Sequence, residues 1–286
     1  MSETFQAFFL PANSADTGQR FCLYHPAQCG ADGDAPKGLV LYIHPFAEEM
    51  NKSRRMAALQ SRALAQAGYA VLQIDLLGCG DSSGDFGDAT WQRWVSDVVL
   101  GCQWLRSQNH VQGDANQPPL WLWGLRAGCL LAAEAARQID APCNFVFWQA
   151  LAAGKPLLQQ FLRLKVAGDL LGGQAKGVMQ ALRDQLASGT PVEIAGYQLA
   201  PGLASGLEQA TLAPPALKQL AQRVAWLEVS TRENATLSPI SAQTIAQWQQ
   251  VGYAVASRIV SGPAFWQTTE IEDAPALIAA TTEVVS

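Results

Sequence analysis

A chain of 286 residues, 49% of them hydrophobic, is long enough to bury a substantial core around a single domain. Its 19 basic and 24 acidic residues leave a net charge of -5, and the longest basic run is the pair Arg54-Arg55, so a nucleic-acid partner is excluded from the expectations. Nothing approaches the ~18 uninterrupted apolar residues of a membrane span. Met1 to Phe9 lacks a basic stretch followed by an apolar one, so no secretory signal is expected and a cytoplasmic location is.

Six cysteines (Cys22, Cys29, Cys79, Cys102, Cys129, Cys143) stand without CxxC spacing, which reads as reduced thiols. The three histidines, His25, His44 and His110, are not paired at ligand spacing, so neither a metal site nor a cofactor is expected.

Two β-like runs, Phe5 to Leu10 and Arg20 to Tyr24, look like an opening antiparallel hairpin, followed by a Gly/Asp/Pro loop from Gly30 to Lys37. Leu39-Val40-Leu41-Tyr42-Ile43 is an unbroken apolar run, the pattern of a strand covered on both faces. A helical pattern from Met50 to Ala67 closes at Gly68, and Tyr69 to Ile74 forms the next buried strand. The rhythm repeats through helix Thr90 to Ser107, strand Leu120 to Trp123, helix Ala127 to Gln138 and strand Asn144 to Gln149, which predicts a mostly parallel central sheet flanked by helices. Between Ala152 and Arg223 the alternation stops, with breaks at Gly172-Gly173, Ser188-Gly189 and Pro214-Pro215; residues 155-223 read as an inserted helical cap. Strand Val224 to Val229, helix Ser241 to Gln250, strand Ala254 to Val260 and a helix from about Glu270 to Val284 complete a core made of 1-154 and 224-286.

The segment that should carry chemistry is Leu120 to Cys129, a buried strand turning through Gly124-Leu125-Arg126-Ala127-Gly128 into a helix. With serine in place of Arg126 it would be a nucleophile elbow, whose glycines let a helix and a neighbouring strand pass close to a strained turn. With it, His44-Pro45-Phe46 after the third strand and the turn Asp75 to Ser82 after the fourth make the chain resemble the α/β-hydrolase superfamily. More narrowly, His44 to Arg55, Gly78 to Gly84 and Gly262-Pro263-Ala264-Phe265-Trp266 are similar to the second hydrolase family associated with the exosortase A system. That resemblance implies the α/β-hydrolase fold and a setting beside exopolysaccharide and protein-sorting functions of Gram-negative bacteria.

Measured against the superfamily's triad, the chain is degenerate. Arginine offers five donors and no lone pair, so Arg126 cannot attack a carbonyl. The histidine belongs after the last strand, where the chain has Ala264, and no histidine follows His110. The acid position after the penultimate strand is taken by Glu233. Losing nucleophile or base alone removes most of what such a triad contributes, because its members act as a unit. Cys79, Ser82 and Cys129 are the substitute nucleophiles to consider, although Asp81, Ser82 and Ser83 also suit plain turn chemistry. His44 could serve as a base or simply shape its loop.

Arg126 would lie at a helix N-terminus, where orphan amides and the dipole favour an anion. With the amides of Phe46 and Ala127 it could make an anion pocket bordered by His44, Glu48 and Trp266 for a small anionic or acyl-type ligand; alternatively an internal carboxylate, Glu233, Glu48 or Glu49, holds it as a structural ion pair. The stripe Leu157-Leu158, Phe161-Leu162, Leu164, Val166 and Leu170-Leu171 suits either a roof over a ligand or the cap's packing face. Three functional readings follow: a degenerate hydrolase that binds a ligand or partner, a hydrolase with an unrecognised nucleophile, and a purely structural partner protein such as a homodimer.

Overall fold

The computed structural model describes residues 5-12, 18-28, 35-109, 117-171, 177-219 and 221-286. Eight strands form one sheet in the order β1 (Gln6–Pro11), β2 (Gln19–His25), β4 (Tyr69–Ile74), β3 (Gly38–Ile43), β5 (Leu120–Leu125), β6 (Cys143–Trp148), β9 (Arg223–Ser230) and β10 (Ala254–Ser261). The β1-β2 and β2-β4 pairs are antiparallel and all the others parallel, so the expected hairpin opens a mostly parallel sheet. Cys29, His110 and Gly172-Gly173, all singled out in the sequence, lie outside the described residues.

The period of two along each buried strand divides the core between the two faces of the sheet. Leu39, Leu41 and Ile43 of β3 face one cluster with Leu122, Phe145, Phe147 and residues of helices α2 (Trp91–Gln108) and α3 (Ala127–Ala135). Val40 and Tyr42 face the other with Trp121, Trp123, Trp148 and residues of α1 (Glu48–Gln66) and α8 (Pro275–Val285). Every residue of β3 and β5 is buried, as a continuous apolar run between two helical layers requires. Each fully buried aliphatic or aromatic side chain contributes ~1.5-3 kcal/mol relative to exposure, so these faces dominate stability.

Two helix ends and the make-up of one segment differ from expectation for identifiable reasons. The last helix begins at Pro275 rather than near Glu270, because proline suits the first helical position while disfavouring helix in the residue before it; Ala274 is non-helical, with φ -120 and ψ 76. Helix α3 ends at Ala135, beyond which the amides of Arg137 and Gln138 donate to carbonyls three residues back, a tightened last turn. The segment between β6 and β9 is not purely helical. It holds α4 (Lys155–Leu171), α5 (Val178–Ala187) and α6 (Pro201–Gln209), and also an antiparallel hairpin of β7 (Val192–Ile194) and β8 (Tyr197–Leu199). The hairpin turns on Ala195 and Gly196, both at positive φ (50° and 84°), the requirement of a two-residue turn that matches strand twist.

Candidate functional site

The elbow has kept its backbone. Arg126 sits at φ 52 and ψ -110 between the end of β5 and the start of α3, a conformation that costs a non-glycine residue of order 1-3 kcal/mol and persists because its surroundings impose it. Its amide donates to the Trp148 carbonyl at 3.0 Å, and its carbonyl accepts from the Cys129 amide at 3.0 Å. A β-carbon at Gly124 would stand 2.5 Å from the Cys129 amide nitrogen, and one at Gly128 would run into the Ile43 carbonyl oxygen. These contacts are backbone against backbone, so the two glycines are needed whatever residue stands between them.

The side chain on this elbow is committed inward. Arg126 Nε donates to Glu49 Oε1 at 2.8 Å, with both side chains under 10% exposed. Nη2 makes a longer, 3.4 Å bond to Gln160 Oε1 of α4, and the guanidinium carbon lies 5.8 Å from the Trp266 ring centroid. Of the three carboxylates offered by the sequence, Glu49 is therefore the partner. Glu48 is half-buried with a buried, unpartnered Oε2, and Glu233 is exposed on the loop after β9, lining a separate hollow of about 390 Å³. The phase of α1 explains the choice. Glu49, Ser53, Met56 and Gln60 recur at helical spacing on its buried face, and Glu48 falls beside it.

Burial pushes the Glu49 carboxyl up from 4.5 to about 7, while Arg126 opposes the shift and Glu48 adds to it. Gln267 lies close enough to lower it, yet Glu49 Oε2 has no hydrogen bond of good geometry. The Arg126 guanidinium already has a carboxyl group of its own protein at 2.8 Å, the internal pair that the sequence offered as the alternative to an open anion pocket. Among the described residues, neither the Phe46 nor the Ala127 amide donates a hydrogen bond.

The remaining candidates are occupied by structural work. His44 Nδ1-H donates to the Pro45 carbonyl at 2.8 Å, its Nε2 accepts from the Leu76 amide at 3.3 Å, and burial holds its pKa below the ordinary value. Both ring nitrogens are spent on backbone, so the imidazole shapes the loop. Ser82 Oγ donates to the Asp75 carbonyl at 2.6 Å and accepts from the Phe21 amide at 2.8 Å, tying the turn to β2. Asp75 Oδ2 accepts from Arg54 Nη2 at 2.9 Å and from the Asp81 amide at 3.2 Å, and Gly80, at φ 54, leaves room for that carboxylate. Cys79 and Cys129 are buried thiols with pKa values pushed far up by burial, and Cys129 donates to the Gly124 carbonyl at 3.2 Å. Neither supplies a thiolate. The five described cysteines are free and buried.

Side chains also fill the space above Phe46. Its ring packs edge-on against Phe161 of α4 (5.1 Å between centroids, 90°), Phe86 (5.6 Å) and Trp94 (5.9 Å), and Tyr197 of β8 closes the group against Phe86 at 5.0 Å. Leu157, Leu158, Phe161 and Leu162 are at most 5% exposed, so this part of the stripe is a packing face, whereas Leu164 is exposed. In the loop after β10, Ala264 takes the histidine position and Trp266 is buried beside Arg126, the one tryptophan expected at the site. Glu49, Gln160 and Gln267 complete the site beyond the binding residues first considered. A hollow of about 890 Å³ lined by Lys37, Arg106, Trp121 and Arg223 opens at the other end of β5 and has no part in this site. No helix among the described residues is long and apolar enough to cross a membrane.

Known proteins place the chain by sequence and by fold. The profile described as serine aminopeptidase, S33, matches residues 34–187, more than half of the chain. Human Protein ABHD12B is 27% identical over 123 residues, 43% of this chain and 30% of that protein, so the match spans under a third of the relative's length. Est1E from Butyrivibrio proteoclasticus, solved with ferulic acid bound, superposes with a TM-score of 0.61 at 15% identity over 98% of this chain and 96% of its own. A soluble variant of monoglyceride lipase from Saccharomyces cerevisiae gives 0.61 at 14% over 100% and 96%. XC6422 from Xanthomonas campestris, an α/β serine hydrolase without lid, gives 0.54 at 14% over 100% and 95%. At these identities the structures speak for the fold alone. Sequence profile, sheet order and elbow backbone agree: the chain belongs to the serine aminopeptidase S33 family of α/β hydrolases.

Proposed function

We propose that this protein is a catalytically degenerate α/β hydrolase, retained as a ligand- or partner-binding protein. The observation that carries the reading is the buried Arg126-Glu49 pair on an intact elbow: the position that should present a nucleophile presents a cation already neutralised by its own protein. The missing base supports it, since no histidine follows His110 in the sequence and His44 has both nitrogens bonded to backbone. So do the buried thiols of Cys79 and Cys129 and the doubly bonded hydroxyl of Ser82. The similarity of His44 to Arg55 and of Gly262 to Trp266 to exosortase-associated hydrolases supports a place in an exopolysaccharide or protein-sorting pathway.

The rival reading is an esterase or thioesterase with an unrecognised nucleophile, favoured by the monoglyceride lipase among the similar structures. The two part on covalent labelling of the native protein with a fluorophosphonate and with iodoacetamide, alongside turnover of short-chain p-nitrophenyl esters. The degenerate reading expects no stoichiometric labelling and no turnover above the solvent rate. Labelling of one residue with matching loss of turnover would overturn it.

A further inference from the structure

The hollow of about 890 Å³ away from the elbow, at the edge of the sheet where β5, β6 and β9 begin, collects positive charge. Lys37, directly before β3, Arg106, in the last turn of α2, and Arg223, the first residue of β9, all line it. Among the described residues Asp140 is the one acidic side chain in its wall. Adding the carboxylate of Ser286, the last residue of the sequence, still leaves three positive charges against two negative. None of the three cations is in an ion pair among the described residues, whereas Arg20, Arg54, Arg55, Arg126 and Arg258 each hold a carboxylate.

Neutral groups place these cations without cancelling them. Arg223 Nη1 and Nη2 donate to the Val285 and Val284 carbonyls at the end of α8, and its guanidinium carbon lies 5.1 Å from the centroid of the Trp121 ring, which also lines the cavity. Helix-end carbonyls and an aromatic face orient a guanidinium and leave its formal charge intact. The stem of Lys37 lies over Gly68, where a β-carbon would stand 3.3 Å from Lys37 Cδ. Arg106 is half-buried, and neither its guanidinium nor the Lys37 ammonium makes a hydrogen bond among the described residues. Burial pushes the thiol of Cys143, at the cavity wall, up to about 12, and Lys218 and Arg106 both pull against that shift.

The charge and the shape restrict the occupant. A cation is repelled, and a neutral ligand leaves the three charges unpaired. Guanidinium and ammonium groups pair with phosphate and carboxylate oxygens through charge-assisted hydrogen bonds. Lys37 and Arg223 flank strands separated by β5 and β6, three strand spacings or ~14 Å at the backbone, so one small anion does not serve both ends of the cavity. The volume falls within the ~300-1,000 Å³ of small-molecule sites.

We propose that this cavity binds a small molecule carrying two or more anionic groups, phosphates or carboxylates, through Lys37, Arg106 and Arg223. The site is remote from the elbow, so the proposal stands whether or not the labelling experiment supports a degenerate hydrolase. The test is calorimetric titration of the full-length protein at low salt with sodium pyrophosphate, trisodium citrate and sodium acetate in turn. Saturable binding of pyrophosphate or citrate, weakened about tenfold or more by Arg106→Gln and by Lys37→Gln and unchanged by Arg163→Gln on α4, is the expected result. Whichever of the two binds names the anionic group. Lys37 is exposed, so Lys37→Gln keeps the test open should Arg106→Gln fail to fold, and an unaltered urea midpoint verifies each variant. Saturation by neither polyanion, equal affinity for acetate, or affinity unaffected by both cavity variants overturns the proposal.

Discussion

The elbow after β5 and the loop after β10 are constrained in different ways. At the elbow the backbone is unchanged, because Gly124 and Gly128 are locked against Cys129 and Ile43 by main-chain contacts that any occupant of position 126 must respect. In the loop after β10 Ala264 is half-buried and Trp266 lies beside Arg126. Main-chain contacts thus fix the residue types at the elbow's glycines, while the packing of the loop after β10 leaves its residue types open.

That contrast can be broken at several points. Glu49→Ala leaves the Arg126 charge buried without its partner and should cost about 3-5 kcal/mol in urea unfolding at pH 8, whereas the paired replacement Arg126→Met with Glu49→Gln should cost far less. If the single variant unfolds like the native protein, the pair is not structural. Gly128→Ala forces a methyl group into the Ile43 carbonyl and should cost about 3 kcal/mol or more, read from the urea midpoint. Ser82→Ala, which leaves the Phe21 amide and Asp75 carbonyl without a partner, should cost about 1-2 kcal/mol with no change in ester turnover.

Glu49 also sets a pH dependence. Its folded-state pKa, about 7, lies above the ordinary 4.5, so the folded protein binds the proton more tightly than the unfolded chain does. The contribution is fully present below about pH 4.5 and is lost as the pH rises through about 7. Native protein should therefore lose stability relative to Glu49→Gln across that window, and a constant difference would contradict the shift. The smallest effect belongs to Ala264→His: restoring the residue without a nucleophile should give no turnover, with stability changed by no more than about 0.5 kcal/mol.

Much of the fold was legible because its signals are local and strong. The apolar runs of β3 and β5, the helix closing at Gly68 and the glycine spacing of the elbow each state a backbone requirement in the residues themselves. The β7-β8 hairpin was hidden because its strands are three residues long and its turn begins with Ala195, which rarely takes positive φ. At the site, the arginine between the elbow glycines and the absence of histidine after His110 could be read directly, but the identity of the Arg126 partner could not. Three carboxylates were available, and only extending the buried stripe of α1 back through Ser53 separates Glu49 from Glu48. The plugging of the space over Phe46 depends on Phe161, Phe86 and Tyr197 meeting from three distant parts of the chain, which no local pattern announces.

The central claim, that Arg126 at the elbow is held in a buried ion pair with Glu49, is tested most directly by a double-mutant cycle between Arg126→Met and Glu49→Gln at pH 8. The account predicts a stabilising coupling of roughly 1-3 kcal/mol, as expected for contacting groups in one buried network. A coupling indistinguishable from zero would show that the arginine does not rely on Glu49, and would return Arg126 to the pool of groups free to meet a ligand.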